Sequence, residues 1–340
     1  MDSQKPVLFQ REPGIESSVF HLLQLVSWSL CLSLFLGACA VEEQATTAPT
    51  SRRIPPERTD AIPDDAVKIK PEQDEHAPIL HSADFLEPVP MPGPVNTAGA
   101  EDSPFISPDG QMLFFFFTPD VKVPVEQQLL DGVTGIYVSH RDGDGWGDPE
   151  RVVLQDEGKL ALDGCGFFDG HSLWFCSARE GYTGLGWFKA DYEAGAWHNW
   201  RPEPFDPGYE VGELHIYDDE LYFHSLRTGG SGDMDLWMSK KVGGVWQPPN
   251  NLVVLNSDAL DGYPFLTSDG QQIWFTRWYQ GTPAVFHSTR MGDEWTEPEL
   301  VVSQFAGEPT LDPNGNLYFV HHFYEDGEMI EADIYVAYRK

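Results

Sequence analysis

GIYVSHRDGDGW (135–146), GWFKADYEAGAW (186–197), DLWMSKKVGGVW (235–246) and AVFHSTRMGDEW (284–295) are four gap-free copies of one twelve-residue pattern. DIYVAYRK (333–340) is a fifth copy that ends before its tryptophan. Each copy reads as a strand, a glycine-containing turn and a further strand begun by the tryptophan. A second element precedes each copy: LFF at 113–115, LWF at 173–175, LYF at 221–223, IWF at 273–275 and LYF at 317–319. It follows Asp109-Gly110, Asp169-Gly170, Asp269-Gly270 and Asn314-Gly315, with Asp218-Asp219 as the departure. Asp-Gly and Asn-Gly reach the positive φ that tight hairpins need, so the element is the second arm of a hairpin. One repeat is therefore four antiparallel strands in about 45 to 50 residues, the period of a propeller blade.

Proline follows the tryptophan at a fixed offset in Trp146 to Pro149, Trp246 to Pro249 and Trp295 to Pro298. The same offset recurs far upstream at Phe85 to Pro88. FLEPVPMPGPVNT (85–97) is thus expected to supply the outer strand that the fifth repeat lacks, closing the ring and removing open sheet edges. The expectation is an all-β, five-bladed propeller over residues 84–340, closed by an N-terminal strand.

PVNTAGAEDSPFISPDGQMLFFF and GGSGDMDLWMSKKVGGVWQPPNNL resemble the WD-like β-propeller repeat of TolB and many bacterial envelope proteins, with weaker copies from about residue 84 to the C-terminus. The resemblance implies a propeller and says little about activity, since one architecture hosts binding modules, scaffolds and enzymes.

Residues 22–36 form an apolar run short for a membrane span, ending in Leu36-Gly37-Ala38-Cys39, which resembles a bacterial lipobox. Residues 1–38 are expected to be a lipoprotein signal peptide and Cys39 the lipidated N-terminus. Ala40 resembles the sorting residue of outer-membrane lipoproteins. The acidic Asp2, Glu12 and Glu16 beside Lys5 and Arg11 depart from a basic leader. Residues 39–83, rich in Pro, Thr, Ala and charge without apolar periodicity, read as a flexible tether. A cell-envelope location, periplasmic or surface-exposed, and a monomer follow as expectations.

With 54 Asp and Glu against 21 Lys and Arg, the chain carries a formal charge of −33. Nucleic-acid binding is excluded as an expectation, because neutralising phosphates needs Lys and Arg. Cys165 and Cys176 flank the Asp169-Gly170 turn and form either a cross-strand disulfide or two buried thiols.

Candidate binding residues stand where each inner strand begins: Glu101 and Asp102, Asp163, Glu213, Asp261 and Glu308, with His215 two residues beyond Glu213. Acids converging from five blades would ring one mouth of the channel, where crowding raises some carboxyl pKa values. Three readings follow: structural acceptors for loop amides, a ligand or divalent-cation site at the channel mouth, or the paired carboxylates of a glycosidase. The last is similar in outline to five-bladed furanosidase-type glycosidases, whose local motifs are not matched. HExxH, paired CxxC, EF-hand and GxSxG patterns are absent, so no dedicated metal site, cofactor or serine nucleophile is expected. The expected role is binding or scaffolding for an envelope protein or glycan, with a glycoside hydrolase as the alternative.

Overall fold

The computed structural model describes residues 57–205 and 211–340. Within them the fold is all-β, with one short α-helix, Val125–Asp131, in the long loop of the first repeat and two 3-10 turns, Arg58–Ala61 and Pro71–Gln73. None of the helices described is long and apolar enough to cross a membrane.

The strands of each repeat pair with their sequence neighbours, antiparallel, as in a β-propeller. Repeat 2 shows the plan: Ala161–Phe168, Ser172–Arg179, Leu185–Glu193 and Ala196–Pro202 form one sheet in that order. Repeats 3 and 4 follow it, beginning at Leu214–Tyr217 and Asp261–Leu266. Repeats 1 and 5 begin at Ala100–Ile106 and Ala306–Leu311, and a single parallel pair, Ala100 with Ala332, joins them into one larger sheet.

The hairpin turns behave as their residues dictate: Gly110, Gly170, Gly270 and Gly315 have φ of 71°, 93°, 66° and 78°. Where repeat 3 lacks the glycine, Asp218 itself takes φ 50°. Asp and Asn tolerate that region better than other side chains.

The outer strands pair at one equivalent position in each repeat. Trp146, Trp197, Trp246 and Trp295 pair with Arg141, Tyr192, Lys241 and Arg290, which occupy one position of the repeat. Phe85 pairs with Arg339, the residue at that position in repeat 5. Val89 and Pro90 then pair with Val336 and Tyr335, as Glu150 and Arg151 do with Val138 and Tyr137 in repeat 1. The N-terminal segment therefore fills the register left vacant by the truncated copy.

The last residue of each LxF triplet, Phe115, Phe175, Phe223, Phe275 and Phe319, is at most 1% exposed. Three repeats lay an arginine on this ring and on an aromatic of the third strand: Arg179 on Phe175 and Phe188, Arg227 on Phe223 and Trp237, Arg277 on Phe275 and Phe286. Repeat 1 has no such arginine of its own. Arg58, from far upstream, lies over Phe115 and Tyr137 in its place.

Arg58 belongs to a strap, residues 57–81, that crosses repeats 1, 5 and 4. Its guanidinium bonds Glu101 at 3.1 Å and the carbonyls of Val95 and Pro94. Lys68 bonds Glu331 at 2.5 Å and also Asp333, while Asp74 meets His321 Nε2 at 2.9 Å. Ile79–Leu80 then adds a strand to the edge of repeat 4, at Ser303 and Val302. Residues 57–81, read from the sequence as part of the tether, meet the acids of repeats 1 and 5 through ion pairs rather than apolar periodicity. The expected signal peptide, Cys39 and the tether's first part lie outside the described residues.

Cys165 and Cys176 form a disulfide with Cα atoms 5.4 Å apart. They are not directly opposite: Gly164 pairs with Cys176, and Cys165 occupies the bulge beside it.

Candidate channel site

The first strands of repeats 1, 2, 4 and 5 each break register in a bulge. At its centre stand Ser103, Cys165, Tyr263 and Glu308, with φ of 49°, 53°, 56° and 52°. Left-handed backbone at a non-glycine residue is uncommon, and a bulge re-aims its side chain. All four line one cavity, and Glu213 lines it from repeat 3.

This geometry corrects the single ring of acids. The aligned strands place Glu101, Asp163 and Asp261 two residues before the bulge centre, whereas Glu213 and Glu308 occupy the centre position itself. The two levels do different work. Glu101 is fully buried and accepts from Arg58, the Thr97 amide at 2.8 Å and the Thr97 hydroxyl at 2.6 Å. Asp163 accepts from Ser177 Oγ at 2.6 Å and Arg179 at 2.7 Å. Asp261 accepts from Arg277 at 2.6 Å and from the amide and hydroxyl of Ser257. Burial lifts the Glu101 and Asp261 carboxyls, and their arginines offset part of the rise. These three acids hold loops and strands together.

The second level faces the axis. Ser103 Oγ donates to Glu308 Oε2 at 2.6 Å and lies 3.5 Å from Glu213 Oε1. Burial, then the charge of Asp102, pushes Glu213 up to about 8. Glu308 rises well above the usual range through burial and its neighbours Asp102 and Glu213. Asp102 goes the other way: burial would raise it, but nearby His322 and the Ser103 amide more than compensate. Asp102, Glu308 and His322 each offer a ligand atom, all within 4.8 Å of one another. This donor set fits a divalent cation, with oxygen ligands and one imidazole.

The cavity around these groups measures about 40 Å³. Phe105, Phe167, His215 and Phe265 close it on one side, with neighbouring ring centroids 4.6 to 6.1 Å apart. His215 lines the cavity as part of this aromatic wall. Its Nδ1 accepts the Leu266 amide and burial pushes its pKa down to about 3.

The structure brings together Asp102, Glu213 and Glu308, with His215 on the wall of the same cavity, and disperses Glu101, Asp163 and Asp261. Sequence reading missed Ser103 and His322 as members. The signal for Ser103 was its place beside proline in Ser103-Pro104-Phe105, matching Tyr263-Pro264-Phe265 and Glu308-Pro309; His322 carried none.

No family model matches the chain, and no curated protein matches it. Solved structures do. TolB from Acinetobacter baumannii is 16% identical with a TM-score of 0.43, over 71% of this chain and 55% of that one. The endo-arabinase from Bacteroides thetaiotaomicron is 16% identical with a TM-score of 0.48, over 73% and 97%. GH43B of the Bacteroides ovatus xyloglucan locus is 13% identical with a TM-score of 0.47, over 74% and 54%. The chain thus spans about half the length of the TolB and GH43B chains.

Proposed function

We propose that this chain is a closed, five-bladed propeller that acts as a binding or scaffolding module for a protein or glycan of the bacterial envelope, anchored by lipid at Cys39. Closure is supported by the first strands of repeats 5, 1, 2, 3 and 4, which touch in cyclic order back to repeat 5. The observation that carries the binding role is the size of the axial cavity, about 40 Å³. Small-molecule sites occupy roughly 300–1,000 Å³, so a sugar ring does not reach the axial carboxylates. An outer-membrane, periplasmic or surface location follows from Ala40 behind the lipobox.

One observation favours the glycosidase reading: Glu213 and Glu308, from different repeats, share one hydroxyl, and burial with neighbouring acids raises both carboxyls, Glu213 to about 8. A carboxylic acid kept protonated is what leaving-group protonation needs. Chromogenic arabinofuranosides and xylosides decide between the two. We expect no turnover above that of Glu308→Gln; turnover by the wild type that Glu308→Gln abolishes reverses the assignment.

The axial groups are instead suited to a small cation held by Asp102, Glu308 and His322. Millimolar calcium or manganese is expected to raise the melting temperature of the wild type and not of Glu308→Gln. Equal shifts in both proteins exclude the site.

A further inference from the structure

A second opening lies away from the axis, between the hairpin-turn ends of repeats 5 and 1. Its volume is about 480 Å³, within the range of small-molecule sites. Equivalent arginines of repeats 4 and 1 differ in how closely they meet the neighbouring repeat. Arg290 of repeat 4 reaches across to repeat 3, bonding Glu220 at 2.6 Å and also the Tyr222 hydroxyl. Arg141 holds the same position in repeat 1, yet it stays 3.8 Å from Asp312 of repeat 5. Arg141 stacks on Trp146, 4.0 Å to the ring centroid, and donates to the Gly110 carbonyl at 3.4 Å, as Arg290 stacks on Trp295 at 4.8 Å.

The charges that border the cleft are largely committed. Asp109 accepts from Ser107 Oγ at 2.6 Å and the Gln111 amide at 3.0 Å. Asp312 accepts the Asn314 and Asn316 amides at 2.9 and 3.0 Å and the Asn316 side chain at 2.8 Å. A cation would find these two carboxylates satisfied, and an anion would face them together with Asp144. What the walls still offer is neutral and directional: the side-chain amide of Asn314, that of Gln111, whose nitrogen also donates to the Asp109 carbonyl at 3.3 Å, the exposed Tyr338, and Trp146. Hydroxyl-rich ligands with apolar ring faces match a wall of amides and aromatics, since each hydroxyl both donates and accepts and each face packs on an aromatic.

We propose that this cleft binds a neutral saccharide of one or two rings. The proposal specifies a ligand and a place for the binding role above and rests on it. The cleft is built at the junction where the chain's ends meet, because Met91, Pro92 and Gly93 of the N-terminal outer strand form part of its wall.

The test titrates the full chain with cellobiose and with N,N′-diacetylchitobiose, using saturation-transfer NMR and calorimetry. Binding of at least one disaccharide is expected, weakened tenfold or more by Tyr338→Ala and by Asn314→Ala and unchanged by Glu157→Ala, which lies outside the cleft. The substituted side chains are exposed, so the variants should fold. Absence of binding by both sugars, affinity unaffected by both cleft variants, or displacement of the sugar by hexalysine overturns the proposal. Silent disaccharides beside a retained association with envelope components remove this site and leave the general binding role standing.

Discussion

A chain beginning at residue 84 is expected to melt far below one beginning at residue 57, although the strap between them contains almost no regular structure. Removing the strap takes Arg58 from Glu101 and Lys68 from Glu331 and Asp333, depriving of their cations three acids that are at most 2% exposed in the intact chain. Breaking one buried pair from one side costs about 3–5 kcal/mol, because the remaining charge stays desolvated. Arg58→Ala alone should therefore lower the melting temperature on the order of 10 °C. The loss also includes a guanidinium packed on Phe115 and Tyr137. Arg58→Met combined with Glu101→Leu should recover much of it, since an apolar pair of similar volume removes both charges together. Calorimetry on the truncated and substituted chains checks this. Equal melting temperatures for chains starting at 57 and 84 would show that the strap contributes nothing.

The second large effect is a fall in stability as pH rises from about 5 to 8. Burial, reinforced by Glu331 and Glu101 and only partly offset by Lys68, lifts Asp333 to about 7. A carboxyl whose pKa is higher in the folded than in the unfolded chain favours folding below the ordinary carboxylate range. That contribution disappears as pH climbs through about 7. A shift of this size corresponds to a few kcal/mol, on the order of 1.4 per pKa step. Glu101, Asp261 and Glu331 are raised as well, through burial first. In the acid limb the sign reverses. Burial would raise Asp74 and Glu220, but His321 and Arg290 respectively bring both below the usual range, so their contributions are lost at low pH. The melting temperature should peak near pH 5, and Asp333→Asn should flatten the decline toward pH 8. A wild-type melting temperature that climbs steadily from pH 5 to 8 contradicts the burial of these acids.

Periodic features were legible because they repeat a local physical requirement. The Asp-Gly turns announce themselves through the φ their hairpins need, and the tryptophans through one fixed place at the start of each outer strand. Phe85 was recognisable without a tryptophan because its distance to Pro88 matched, and it pairs with Arg339 as that spacing demands. The acids were legible as a set but not by level. Glu101 and Glu308 both begin an inner strand, yet a two-residue offset around the bulge sends one into an ion pair and the other toward the axis. His321 and His322 are adjacent, and alternation along the strand separates them: one meets Asp74 of the strap, the other faces Asp102.

The sequence by itself determined the repeat, its hairpins, the all-β class and the pairing of the chain's ends, since each depends on neighbours within one repeat or on a spacing that several copies share. Only the tertiary structure decided which acids are consumed, that His215 joins the aromatic wall of the axial cavity, and that residues 57–81 complete the core of repeats 1 and 5. Those outcomes depend on contacts such as Arg58 with Glu101 and Lys68 with Asp333, between residues far apart in the chain. A lone arginine or lysine in a polar stretch carries no periodicity, and its role is set by the buried charge that it meets.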